Sequence, residues 1–154
     1  MAPRLGPARS GLAGIGRDNA KMNFEIHPRL LQDTFDVCQI EDVHVRLLND
    51  ARYLWLVLIP ETSAIELHHL DSVAQARLLQ VTNRCAAALE VLQQPDKLNI
   101  GALGNLVPQL HVHVIARNED DPAWPGPVWG HSEPVAYPAD QAQERISNIL
   151  DLLD

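Results

Sequence analysis

The chain predicts an α+β domain: an antiparallel sheet of approximately five strands, carrying a long helix and a C-terminal helix on one face. Three observations predict it. Short strand-like runs follow one another across tight turns, and strands joined this way must mostly be antiparallel, because parallel neighbours need long crossovers. One unbroken stretch of three- and four-residue periodicity lies between Asp71 and Pro95, and a second follows Pro138.

Each element has a local cause. HPRLLQDT reads as a short helical turn opened by Pro28. FDVCQIE and VHVRLLND alternate as strands do, with Glu41-Asp42 as the turn between them. RYLWLVLIP is almost wholly apolar and reads as a strand central to the sheet, entered through Asn49-Asp50 and closed by Pro60. Asp71 or Ser72 can cap the long helix. Its core stripe runs Ala74, Leu78, Val81, Cys85, Ala88, Leu89 and Leu92, and Pro95 forbids continuation. KLNIGAL and QLHVHVIA supply two further strands joined by GNLVP. In the last helix, opened by Pro138, Ala142, Ile146, Ile149, Leu150 and Leu153 share a stripe.

With 154 residues, 46% of them hydrophobic, the chain can build one core but not two comfortable ones. Residues 22–154 are therefore expected to form one domain. The glycine-, proline- and arginine-rich residues 1–21 read as a disordered leader, and translation could instead begin at Met22. A formal charge of −8 argues against a nucleic-acid partner, and no apolar run approaches the ~20 residues that span a membrane. Cys38 and Cys85 form no C-x-x-C pair, which suits a reducing cytoplasm.

The segment PQLHVHVIAR carries the chemistry. Alternation sends Gln109, His111, His113 and Ile115 to one face, and Leu110, Val112, Val114 and Ala116 to the other. Imidazoles two residues apart lie about 7 Å from each other at their Cα atoms, close enough to address one charged group. The spacing leaves three uses open. Both rings could be solvated, both could hold a metal with help from His44, His68, His69 or His131, or one could attack phosphorus as a neutral imidazole.

GNLVPQLHVHVIAR, with LLNDARYLWLVLIP and KLNIGALGN before it, resembles the histidine-triad superfamily of nucleotide hydrolases and transferases. The resemblance covers Phe24 to Arg117. It implies a HIT-like fold and a covalent nucleotidyl-histidine intermediate at the α-phosphate. His111 matches the nucleophile and His113 the phosphate-contacting histidine. Asn49 matches the ribose or nucleoside contact, Asn105 a polar residue beside the phosphates, and Asn99 a neighbour on the preceding strand. Bacterial dinucleoside polyphosphate hydrolases are similar, so the implied enzyme takes a substrate such as diadenosine tetraphosphate and forms a homodimer by pairing sheets. No metal ligand and no tightly bound cofactor are implied, although Mg²⁺ could accompany the substrate phosphates.

Two departures bear on this. Gln109 stands where the first histidine of the triad belongs, giving a Gln-His-His set; its amide can hydrogen-bond a phosphate oxygen or a nearby side chain but cannot relay a proton. Ser63 falls where several relatives place another histidine, and the paired cysteines of zinc-carrying relatives are missing. A non-catalytic nucleotide-binding or regulatory protein is the main alternative, and a metal-binding H-x-H protein the lesser one. In NEDDPAWPGPVWGH, Trp124 or Trp129 could line a nucleobase pocket or pin the loop, the commoner use of tryptophan. His131 reads as structural, and Glu119-Asp120-Asp121 as a solvated turn rather than an Mg²⁺ site. Arg52 and Arg117 could help hold a polyphosphate.

Overall fold

The computed structural model describes residues 23–154. The leader expected over residues 1–21, and a start at Met22, lie outside the described residues. Helix α1 (Pro28–Asp33) leads into strands β1 (Thr34–Ile40), β2 (Val43–Leu48) and β3 (Leu54–Pro60). A 3-10 turn at Leu67–His69 precedes α2 (Ser72–Gln93), followed by β4 (Lys97–Gly101), β5 (Val112–Arg117) and α3 (Ala139–Leu153). The five strands form one sheet in the order β1-β2-β3-β5-β4, and every neighbouring pair is antiparallel. The α+β class follows as predicted.

Local chemistry sets the element ends. The Asp71 carboxylate accepts the Ala74 N–H at 2.8 Å and caps α2. Gln94, at φ 47°, ends the helix in the left-handed region just ahead of Pro95. Glu41, at φ 53°, turns β1 into β2. Pro138 is the cap of α3 rather than its first residue.

The sheet has a core on each face. Leu54, Leu56 and Leu58 of β3, with Val112, Val114 and Ala116 of β5, pack against Leu78, Cys85 and Leu89 of α2 and Ile149 of α3. Trp55, Val57 and Ile59 of the same β3, with Ile115, pack on the opposite face against Leu30 of α1 and Ala123 and Val128 of the long loop. This explains why β3 is apolar at every position: all seven of its residues are buried. The expectation of helices on one face holds for α2 and α3; α1 and the loop partly roof the other. Among the described residues, no helix is long and apolar enough to cross a membrane.

One expectation is corrected. β5 begins at Val112, so Gln109, Leu110 and His111 lie in the irregular segment before the strand. Its neighbours run out there, since Leu58 pairs with Val112 and Gly101, the last residue of β4, pairs with His113. Without ladder partners, residues 109–111 are released from strand alternation.

Candidate active site

The second face of the sheet opens into a cleft of about 780 Å³. Leu30 and Asp33 of α1 form one wall, Trp55, Val57 and His113 the floor, and the loop of residues 103–107 the opposite wall. Trp129, Ser132 and Glu133 close the far side, while Asn49, Asp50 and Arg52 line the turn after β2. His111 borders the same space. The fold thus brings together His111, His113, Asn49 and Asn105 from three separate stretches of chain.

The histidine geometry fixes both tautomers. His111 Nδ1 lies 2.6 Å from the Gln109 carbonyl oxygen. A carbonyl can only accept, so Nδ1 carries the proton and Nε2 keeps its lone pair. The Trp55 indole N–H donates to His113 Nδ1 at 2.9 Å. Indole is a donor only, so Nδ1 of His113 is the bare nitrogen and a neutral ring carries its proton on Nε2. The two rings sit 4.9 Å apart between centroids, at 76° to one another. Side by side stand a nucleophilic nitrogen and a fixed N–H donor.

Burial keeps His113 neutral. Desolvation, reinforced by the neighbouring His111, pushes its pKa down to about 3. The unfolded chain gains a proton below about 6.5 that the folded one refuses, so stability falls as pH drops from about 6.5 towards 3. The slope approaches about 1.4 kcal/mol per pH unit. Urea titrations between pH 6.5 and 4.5, above the range where carboxylates contribute most, should show that loss in the wild type and little of it in His113→Gln. Equal slopes would remove His113 from the account.

Other predicted residues take different places. Both ends of the Gln109 side chain are occupied: Nε2 donates to the Glu25 carbonyl and Oε1 accepts the His27 N–H, each at 2.9 Å. Gln109 is not among the residues that line the main cleft, and its amide tethers the segment that leads into α1. Asn99 is not on the cleft wall either; its carboxamide oxygen accepts from Arg117 Nη1 at 2.7 Å. Asn49 Oδ1 accepts the Tyr137 N–H at 2.8 Å, leaving its amide group as a donor for the cleft. Asn105 lines the cleft from the loop before β5. Among the described residues, the amide N–H groups of Gly104, Asn105 and Leu106 have no protein acceptor. Such backbone donors suit an anion.

Arg117 is no polyphosphate ligand. It is 1% exposed and held by Asp121, Asn99 and the Gly126 carbonyl. Asp121 of the acidic cluster is thereby committed: burial pushes its carboxyl up, but the Arg117 guanidinium and backbone donors hold it below its ordinary value. Arg52 does reach the cleft, bridging Asp50 (Nη2 to Oδ2, 2.8 Å) and Ser132 (Nη1 to Oγ, 2.6 Å). Trp124 stacks on the Arg117 guanidinium, whereas Trp129 stands edge-on to His113 and Trp55. Its ring rests on Gly101, where a Cβ would come within 3.1 Å of Trp129 Cη2. His131 is exposed, and its ring bonds only the Ser132 hydroxyl among the described residues. Ser63 lies in a separate surface hollow of about 640 Å³ beside Arg77 and Glu61.

Sequence reasoning offered Trp129 but missed Trp55, Asp50 and the part of the rim formed by Ser132, Glu133, Pro134 and Ala136. Trp55 was hidden in an apolar run, and only the register of β3 against β5, with Trp55 opposite Ile115 and Val57 opposite His113, puts it diagonally beside the imidazole. Among the described residues, no group of three or more His, Cys, Asp or Glu side chains could hold a metal. The histidine pair therefore has no third ligand of that kind there.

The sequence matches the HIT domain family over residues 30–120. A histidine triad protein from Bradyrhizobium japonicum superposes with a TM-score of 0.83 at 45% identity, over 85% of this chain and 98% of its own. One from Sinorhizobium meliloti gives 0.82 at 41% identity, over 84% of this chain and 96% of its own. One from Marinobacter aquaeolei gives 0.82 at 40%, with the same 84% and 96%. A search of curated proteins returned no match. Family profile, overall structure and the paired imidazoles agree, and the chain belongs to the HIT domain family.

Proposed function

We propose that the protein is a nucleotide hydrolase or nucleotidyltransferase acting at an α-phosphate through a covalent nucleotidyl-histidine. The observation that carries it is the His111 ring, whose Nδ1–H is held by the Gln109 carbonyl so that Nε2 is left as the free nucleophile at a ligand-sized cleft. The Nε2 lone pair attacks phosphorus; the bond from phosphorus to the departing oxygen breaks, and its electron pair leaves with that oxygen. Water then attacks phosphorus, its proton passing to solvent, and the N–P bond returns its pair to Nε2. His113 Nε2–H and the free amides of the loop are the donors for the non-bridging oxygens, where charge gathers.

The same groups favour a substrate class. Gln109 cannot deliver a proton, and His113 is a neutral donor rather than an acid near neutral pH. A basic leaving group such as an amine would go unassisted. A polyphosphate departs as a stable anion, which favours dinucleoside polyphosphates such as diadenosine tetraphosphate over phosphoramidates. Mg²⁺ could neutralise those phosphates. The resemblance also points to a cytoplasmic homodimer; β4, with Ile100 exposed, is an open sheet edge suited to pairing.

Rapid quenching with diadenosine tetraphosphate tests the mechanism. An adenylyl group should appear, acid-labile, on the peptide that contains His111. Calorimetric binding with neither adduct nor product would instead support a nucleotide-binding protein, the alternative favoured by the structural use of Gln109 and by Ser63 lying away from the cleft.

A further inference from the structure

We propose that the Gln109 side chain is a positioning residue for the nucleophile: by gripping the backbone of residues 25 and 27, it holds in place the carbonyl that orients the His111 ring. This role rests on nucleotidyl transfer by His111 as described above. Residues 109–111 precede β5 and lack ladder partners, since Leu58 pairs with Val112 and Gly101 with His113. The sheet therefore does not hold the Gln109 carbonyl, which accepts the His111 Nδ1–H at 2.6 Å. Side chains on either side of that carbonyl hold it instead. Leu110 is buried in the core against the helices. The Gln109 carboxamide is fixed in the segment leading into α1, with Nε2 donating to the Glu25 carbonyl and Oε1 accepting the His27 N–H, each at 2.9 Å.

The far end of this tether is itself anchored. Phe24 stacks on His44, with ring centroids 5.6 Å apart and planes 13° from parallel. Phe24 and Ile26 pack against the second core, and His27 Nδ1 accepts the Arg29 N–H at the first turn of α1. The two bonds of the tether need a donor and an acceptor on one short end group, which an amide supplies. What they protect is a tautomer. Among the described residues the His111 ring has no other hydrogen bond, so its contact with the Gln109 carbonyl alone decides which nitrogen carries the proton. If that carbonyl swings away, the proton can move to Nε2, and the lone pair that attacks phosphorus is lost. Gln109 thus acts through His111, without touching the substrate.

Two variants break the tether from opposite ends. Gln109→Met keeps the side-chain length and removes both bonds. His27→Pro removes the N–H donor, together with the ring that caps α1, at a residue whose φ of −52° and ψ of 133° proline can adopt. Neither residue lines the main cleft. Three quantities are read: the single-turnover rate of adduct formation from diadenosine tetraphosphate, the affinity for a non-hydrolysable analogue, and the His111 tautomer by side-chain nitrogen NMR. Adduct formation should slow by about 10²-fold in Gln109→Met and about tenfold in His27→Pro, with affinity changed only a few-fold. The ring should pass from Nδ1–H in the wild type to a mixture of tautomers in both. An unchanged tautomer in both variants would overturn the proposal, as would a rate loss matched by weaker binding, which would mark the tether as a support for the α1 wall alone. Should Gln109→Met melt far below the wild type, His27→Pro decides. A wild type that forms no adduct would sink the transfer reading, and the tautomer would then judge the positioning role by itself.

Discussion

His111→Ala should lower single-turnover cleavage of diadenosine tetraphosphate by at least about 10³-fold while changing the affinity for a non-hydrolysable analogue only a few-fold. The asymmetry follows from what the ring does. Its bond to phosphorus exists only during reaction, so its loss removes transition-state stabilisation and little ground-state binding. No other side chain is placed to take over. Burial pushes the Cys85 thiol up to about 12 and raises Cys38 as well, and neither lines the cleft. The Ser132 hydroxyl does border the cleft with His131 Nδ1 3.0 Å away, but it accepts from Arg52 at 2.6 Å, and among the described residues no third group orients the exposed His131 ring as a base. Residual activity would therefore be direct attack by water, without an adduct. Wild-type rates in the variant would end the covalent account.

Asp121→Asn should be the most destabilising of the substitutions considered, by about 3–5 kcal/mol, because it leaves a buried guanidinium without its counter-charge. Arg117 is 1% exposed and meets Asp121 through two bonds, Nε to Oδ2 at 2.6 Å and Nη2 to Oδ1 at 3.0 Å. The carboxylate also accepts the Ala123 N–H at 3.0 Å, so the same change loosens the loop that runs on to Trp129. Such a loss corresponds to a fall in Tm of roughly 10 °C for a domain of this size. Replacing both partners, as Arg117→Met with Asp121→Leu, should recover much of it, since an apolar pair has no desolvation penalty. Chemical denaturation of both variants checks the pair, and a Tm within a few degrees of wild type for Asp121→Asn alone would show the arginine solvated.

The fold was largely legible because periodicity and punctuation dictated it. Asp71 and Pro95 bound α2, Pro138 leads α3, and the all-apolar β3 is buried on both faces. The site was legible only where chain-local pattern sufficed, as for His111 and His113. Gln109 was read by alternation as a cleft residue, but β5 starts too late for alternation to reach it, and its partners are more than eighty positions away. Asn99 and Arg117 each looked available to a ligand, yet they bond to each other across neighbouring strands. Long-range pairing of this sort leaves no trace in a single sequence.

Because the Trp55 and His113 contact belongs to two paired strands, while the rim consists of residues 103–107 and 128–136 outside any strand or helix, the cleft floor and its walls are mounted on different parts of the molecule. Descendants of this gene could exchange rim side chains one loop at a time, reshaping the cleft wall without disturbing the His113 imidazole on its floor.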